Sequence, residues 1–182
     1  MDLNLMVIDN FLPDPDAVRN LALKSVFDWR GPYPGVRSLC HDTDYKNFLD
    51  EKFEELYGTK LVHSGASTQF QVCTELEDRN WIHHDDHDIA GVLYLTPDAP
   101  LDYGTSIFRH KESKILYGKE KTTENNRNED EWEEIIRVNN IYNRLIIYNG
   151  WMWHRSNNFG FGNTLENSRL TQVFFMNFKE QE

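Results

Sequence analysis

Six ionisable residues stand in a row in Trp81-Ile82-His83-His84-Asp85-Asp86-His87-Asp88, just before an apolar run. Imidazole and carboxylate are side chains that hold divalent transition metals. Side chains two apart on a strand share a face, so His83 can point with Asp85, and His84 with Asp86. The first pairing puts an imidazole and a carboxylate on one metal face; the second, His84 with Asp86, is the alternative register. A third ligand is on offer far downstream, at His154 in Tyr148-Asn149-Gly150-Trp151-Met152-Trp153-His154. Two histidines and one carboxylate with open positions form the facial triad of non-haem Fe(II) sites. A closed zinc site would take four ligands, usually with thiolates. Cys40 and Cys73 are wrongly placed to supply them.

Each piece alone has a blander reading. A solvated acidic loop produces the same run as His83–Asp88, and a lone histidine among aromatics is more often a hydrogen-bonded core residue. Arg169 sharpens the case. It opens Arg169-Leu170-Thr171-Gln172-Val173-Phe174-Phe175, where Arg169, Thr171 and Val173 share one face. A guanidinium turned into a small barrel is costly without an anionic partner. A dicarboxylate would satisfy it through paired N–H···O bonds, with Thr171 adding a hydroxyl. The competing placement puts Arg169 on the surface beside one of the many carboxylates. Trp81, Tyr148, Trp151 and Trp153 read mainly as core packing, and Arg109 and Arg155 as weaker candidates for substrate contact.

These residues need a scaffold. Leu3, Leu5 and Val7 alternate as in an opening strand. Asp14 caps a helix with Pro15 at its first position. Helical spacing predicts a second helix over Thr43–Tyr57, with Tyr45, Phe48, Leu49, Phe53 and Leu56 buried. Strand patterns follow within 60–75, with Phe70 and Val72 opposite Gln69 and Gln71. Further strands are expected at Ala90–Leu95, Gly104–Arg109, Ile141–Tyr148, Trp151–His154 and Arg169–Phe178. Residues 111–135 are polar and read as a solvated insertion or lid with a short helix near Trp132. Two helices before seven or eight short strands predict a mainly β (α+β) domain, its antiparallel sheet closed or sandwiched and its helices packed outside. The chain is expected to form one domain over 1–182, with 1–58 as helical support and 60–178 as the core.

Its 182 residues carry 19 Lys plus Arg against 30 Asp plus Glu, a net charge of −11. That balance argues against nucleic acid or an anionic membrane surface as partner. No run is apolar and long enough to span a bilayer, and the N-terminus lacks the features of a signal peptide. Two cysteines read as free thiols in a reducing compartment, so a cytoplasmic location is expected. The partner is expected to be a small-molecule or peptidyl substrate.

With these residues in view, the chain resembles the prolyl-hydroxylase-like group of 2-oxoglutarate- and Fe(II)-dependent dioxygenases, in particular its small bacterial and phage-type members. The order His83-x-Asp85, His154, Arg169 carries the resemblance. Ala90-Gly91-Val92-Leu93-Tyr94-Leu95-Thr96-Pro97 and Gly104-Thr105-Ser106-Ile107-Phe108-Arg109-His110 match the strands after the first metal motif, and Asp9-Asn10-Phe11-Leu12-Pro13 resembles a common opening. Tyr103-Gly104 stands where a Gly-Gly pair is frequent. The resemblance implies a double-stranded β-helix (jelly-roll, cupin-like) core. It implies Fe(II) on His83, Asp85 and His154, 2-oxoglutarate held through Arg169 with Thr171 nearby, and O2 as oxidant. The product would be a hydroxylated substrate, with succinate and CO2 released. A non-catalytic barrel binding a small acid or a protein, and a cupin-type Zn or Mn enzyme, are the alternatives.

Overall fold

A computed structural model describes residues 5–118 and 128–179. Two helices and ten strands form in the order β1 (Leu5–Ile8), α1 (Pro15–Leu23), β2 (Val36–Ser38), α2 (Thr43–Tyr57), β3 (Leu61–His63), β4 (Phe70–Cys73), β5 (Ile89–Tyr94), β6 (Thr105–His110), β7 (Trp132–Val138), β8 (Leu145–Tyr148), β9 (His154–Ser156) and β10 (Arg169–Phe178). The helices start where their caps say. The Asp14 carboxylate accepts the Ala17 N–H at 3.0 Å, and Asp42 accepts that of Tyr45 at 2.8 Å. Helix α2 ends on Gly58 at φ 66°, a left-handed conformation that glycine adopts without strain.

The strands build two antiparallel sheets. The larger runs β1-β8-β5-β10-β4-β2, with β3 pairing the far end of β10; the smaller runs β7-β6-β9. Period-two alternation divides the large sheet's side chains between two cores. Phe70, Val72, Leu93, Leu145, Ile147, Leu170, Phe174 and Met176 pack on one face with Leu49 and Phe53 of α2. Tyr94, Ile146, Tyr148, Val173 and Phe175 face the other way and meet Ile107 and Val138 of the small sheet. Helices therefore lie outside the large sheet, and the space between the sheets is free to hold a site. The architecture is the jelly-roll, double-stranded β-helix type.

Several expected boundaries move. Leu56 is exposed rather than buried. The strand expected over Ile141–Tyr148 begins only at Leu145. Asn143 sits at φ 61°, its amide accepting the Leu12 N–H and donating to the Leu12 carbonyl, both at 2.9 Å, so this stretch turns before it extends. The strand expected over Trp151–His154 starts at His154, because residues 150–151 turn and Met152 only bridges Tyr117. The helix expected near Trp132 is a single 3-10 turn at Glu129–Glu131, and Trp132 itself opens β7. Within the expected 111–135 insertion, residues 119–127 lie outside the described residues.

Candidate functional site

His83 and Asp85 do not lie on a regular strand. His83 forms an isolated antiparallel bridge with His154: its N–H donates to the His154 carbonyl at 2.9 Å, and the return bond is 2.7 Å. The Asp85 N–H donates to the Gly150 carbonyl at 2.7 Å. The acidic run is thus zipped against the segment leading into β9. Gly150 permits this approach, since a Cβ there would stand 2.5 Å from the His87 carbonyl oxygen.

That zipper brings three side chains together. One ligand atom from each of His83, Asp85 and His154 lies within 4.8 Å of the others. The two rings are 4.4 Å apart between centroids, and His154 Nε2 is 3.3 Å from Asp85 Oδ2. Both rings are fixed in the same way. Nδ1 of His83 is 2.9 Å from the Trp81 carbonyl, and Nδ1 of His154 is 2.8 Å from that of Met152. A carbonyl only accepts, so each Nδ1 carries a hydrogen and each ring turns its Nε2 inward. Burial, then the neighbouring His154, pushes His83 down to about 4, so it is neutral at pH 7. Burial alone would raise the Asp85 carboxyl; the His154 and His83 rings and the Arg37 guanidinium outweigh it and hold it below the ordinary value. Two ring nitrogens and a carboxylate oxygen therefore converge. Two imidazoles and a carboxylate are a donor set that would fit a divalent cation.

The alternative pair is directed elsewhere. His84 Nδ1 lies 3.1 Å from Asp86 Oδ1, the His84 ring stacks on Trp151, and Asp86 is largely exposed. Trp153 packs with Ile82, Phe108 and Trp132. Arg109 pairs with Glu133 at 2.8 Å and Arg155 pairs with Glu129, so both weaker candidates are engaged by carboxylates.

Arg169 and Thr171 project from β10 into the same cavity as the three ligands. Arg169 is 5% exposed, and its Nε donates to the Tyr103 carbonyl at 3.0 Å. Its terminal nitrogens make no hydrogen bond or ion pair among the described residues. Thr171 is fully buried, its hydroxyl 3.5 Å from the Gln71 carbonyl. Tyr148 lines the cavity beside His154, ring centroids 4.7 Å apart. Burial, then Asp85, pushes its phenol well up, so it stays protonated and can donate.

Among the charged lining residues, Arg37 escaped the sequence reading. Arg37, in the three-residue strand β2, is 8% exposed and faces the cavity. Burial lowers its pKa from the ordinary value, with Tyr33 and Asp85 opposing, yet a guanidinium so placed remains charged. No spacing rule marks it, because Val36-Arg37-Ser38 is too short to show a pattern.

Residues 2–176 match the family described as "Family of unknown function (DUF6445)". The chain belongs to that family. No curated protein matches it in sequence. Solved structures do match in fold. A prolyl-4-hydroxylase from Pseudomonas putida superposes with TM-score 0.58 at 11% identity, over 98% of this chain and 95% of that one. HygX from Streptomyces hygroscopicus, with nickel, 2-oxoglutarate and hygromycin B bound, gives 0.62 at 12%, over 97% and 84%. A prolyl hydroxylase from Trichoplax adhaerens, in complex with a hypoxia inducible factor oxygen degradation domain peptide fragment, gives 0.58 at 12%, again over 97% and 84%. This DUF6445 chain thus has the fold of the prolyl-hydroxylase-like 2-oxoglutarate oxygenases. No helix among its described residues is long and apolar enough to cross a membrane.

Proposed function

We propose that the chain is an Fe(II)- and 2-oxoglutarate-dependent dioxygenase that hydroxylates a C–H bond of a small-molecule or peptidyl substrate. One observation carries the reading. Nε2 of His83, Nε2 of His154 and a carboxylate oxygen of Asp85 converge at the wall of a cavity that also holds Arg169, the rings fixed by Nδ1 bonds to backbone carbonyls. When bound, Fe(II) with 2-oxoglutarate and O2 supplies the oxidising power for hydroxylation, with succinate and CO2 released.

The chain's own residues do the rest. His83 and His154 present fixed lone pairs because their Nδ1 hydrogens are committed to backbone carbonyls. Asp85 lowers the charge of the centre. Arg169 offers its two terminal N–H groups to the distal carboxylate of the cosubstrate, a geometry that only guanidinium supplies. The Nε bond to Tyr103 holds the guanidinium plane in position. Thr171 presents a hydroxyl one step further along the same face. Val92, Val173 and Phe175 add apolar surface to the wall, which helps exclude water and strengthens each charged contact.

The test combines metal titration with succinate release. Purified chain should bind one equivalent of Fe(II) or Mn(II), and should form succinate from 2-oxoglutarate with Fe(II) and O2. Metal binding without succinate would favour the cupin-type Zn or Mn enzyme. Binding of small acids without a metal requirement would favour the non-catalytic barrel.

A further inference from the structure

The cavity holds a second buried guanidinium, and the proposed reading gives it nothing to do. Arg37 pairs across the sheet with Gln71, which pairs with Thr171, so the three lie in one row on the inward face. Two strand spacings, roughly 10 Å, separate Arg37 from Thr171 in that row. Arg37 therefore enters the cavity from the rim strand, two strands away from the backbone of Arg169 and Thr171.

It is also held in place. Its Nε donates to Gln71 Oε1 at 2.8 Å. The Gln71 amide is turned the right way round by donating from Nε2 to the Pro34 carbonyl at 2.9 Å. The Tyr33 ring covers the guanidinium face, with Cζ 3.8 Å from the centroid. Only the two terminal nitrogens are left, and they make no hydrogen bond or ion pair among the described residues. A buried guanidinium fixed on its face and its inner edge, with its outer edge open to a cavity, is prepared for a planar anion.

The charge balance points the same way. The described residues of the cavity wall supply two guanidinium charges and one carboxylate charge, with the imidazoles ligating as neutral rings. A divalent metal and a doubly charged 2-oxoglutarate cancel each other. With both in place, one positive charge remains uncompensated in a low-dielectric cavity, which is costly until an anion joins it. The acidic chain as a whole, at −11, makes a cationic cavity all the more specific to one place.

We infer that the substrate carries a carboxylate, and that Arg37, positioned by Gln71 and Tyr33, recognises it. This rests on the dioxygenase reading for the role of the remaining contents of the cavity. The carboxylate belongs either to a free small acid or to a peptide.

The test uses chain loaded anaerobically with Mn(II) and 2-oxoglutarate, titrated by calorimetry with N-acetylglycine and with its uncharged amide, N-acetylglycinamide. The acid should bind about tenfold or more tightly than the amide. Arg37→Gln should remove that preference. Gln71→Glu, which supplies Arg37 with an internal carboxylate at nearly constant volume, should remove it too while near-UV circular dichroism stays that of the native chain. Arg169→Gln should keep the preference and lose affinity for 2-oxoglutarate instead. Equal binding of acid and amide by the native chain overturns the inference. So does a preference that survives Arg37→Gln, and so does a rise in the 2-oxoglutarate Kd with Arg37→Gln equal to that with Arg169→Gln. If the native chain takes up neither Mn(II) nor 2-oxoglutarate, the dioxygenase reading has failed. The same comparison on metal-free chain then decides the anion site by itself. A C-terminally amidated tripeptide with a central Asp, against the same peptide with Asn, forms the second arm: an Asp preference lost with Arg37→Gln assigns a peptidyl source, and its absence beside a kept N-acetylglycine preference assigns a free acid.

Discussion

His83 and His154 are joined twice, through reciprocal backbone hydrogen bonds of 2.9 and 2.7 Å and through rings 4.4 Å apart. The backbone sets the spacing of the side chains, so the proposed metal site is shaped without a metal.

It follows that removing a ligand side chain should empty the site without unfolding the chain. His154→Ala or Asp85→Ala should weaken Mn(II) binding by more than the roughly 10–100-fold that loss of an outer partner costs. Succinate formation should fall to background. Calorimetry and a succinate assay read both, and a variant with native metal affinity would reject its assignment as a ligand.

Arg169→Gln should act on the cosubstrate alone. A charge-assisted pair is lost, so the 2-oxoglutarate Kd should rise about 10–100-fold in the presence of Mn(II), with metal affinity kept. Calorimetry at fixed Mn(II) checks it, and an unchanged Kd would remove Arg169 from the site.

Acid should loosen the metal-free chain in a defined window. His83 has a folded pKa of about 4, below the ordinary value of about 6.5. The unfolded chain takes up the proton first, so stability is full above that ordinary value and declines as pH falls towards about 4. The loss is of the order of 3 kcal/mol. Thermal melts across this range should show the slope, and His83→Gln should flatten it.

Gly150→Ala should damage both fold and site. The added Cβ would crowd the His87 carbonyl at 2.5 Å and the Asp85 carbonyl at 3.3 Å. We expect a loss of about 1–3 kcal/mol in urea unfolding, with weaker Mn(II) binding because Asp85 is displaced.

The parts of this molecule that were legible in sequence are those in which pattern and burial coincide. Helix α2 begins and ends at Thr43 and Tyr57 as its spacing predicts, between the Asp42 cap and Gly58. Strand β10 is buried along most of its length, and its alternation placed Arg169, Thr171 and Val173 on one face. The strand β7 was illegible because it is an edge. Glu133 pairs with Arg109 and Glu134 with Arg137, a run of charges that in sequence is indistinguishable from a solvated loop. His83 and Asp85 were expected to converge by strand alternation. They converge through one isolated bridge and a bond to Gly150, long-range contacts that no local pattern encodes. Arg37 was missed for a related reason: its importance comes from being opposite Gln71 in the sheet, and the two are far apart in the chain.

Strand β2 is only three residues long and hangs on the rim of the large sheet, pairing with β4 and touching Trp29 by a single bridge. An edge strand can be altered without unpairing the strands behind it, provided Gly35, where a Cβ would stand 2.1 Å from the Val72 carbonyl oxygen, and Pro34, whose carbonyl holds Gln71, are kept. Substitutions at Tyr33 and Arg37 would then retune which molecules are admitted while the wall that carries His83, Asp85 and His154 stays as it is, making this short rim the natural handle for re-engineering selectivity.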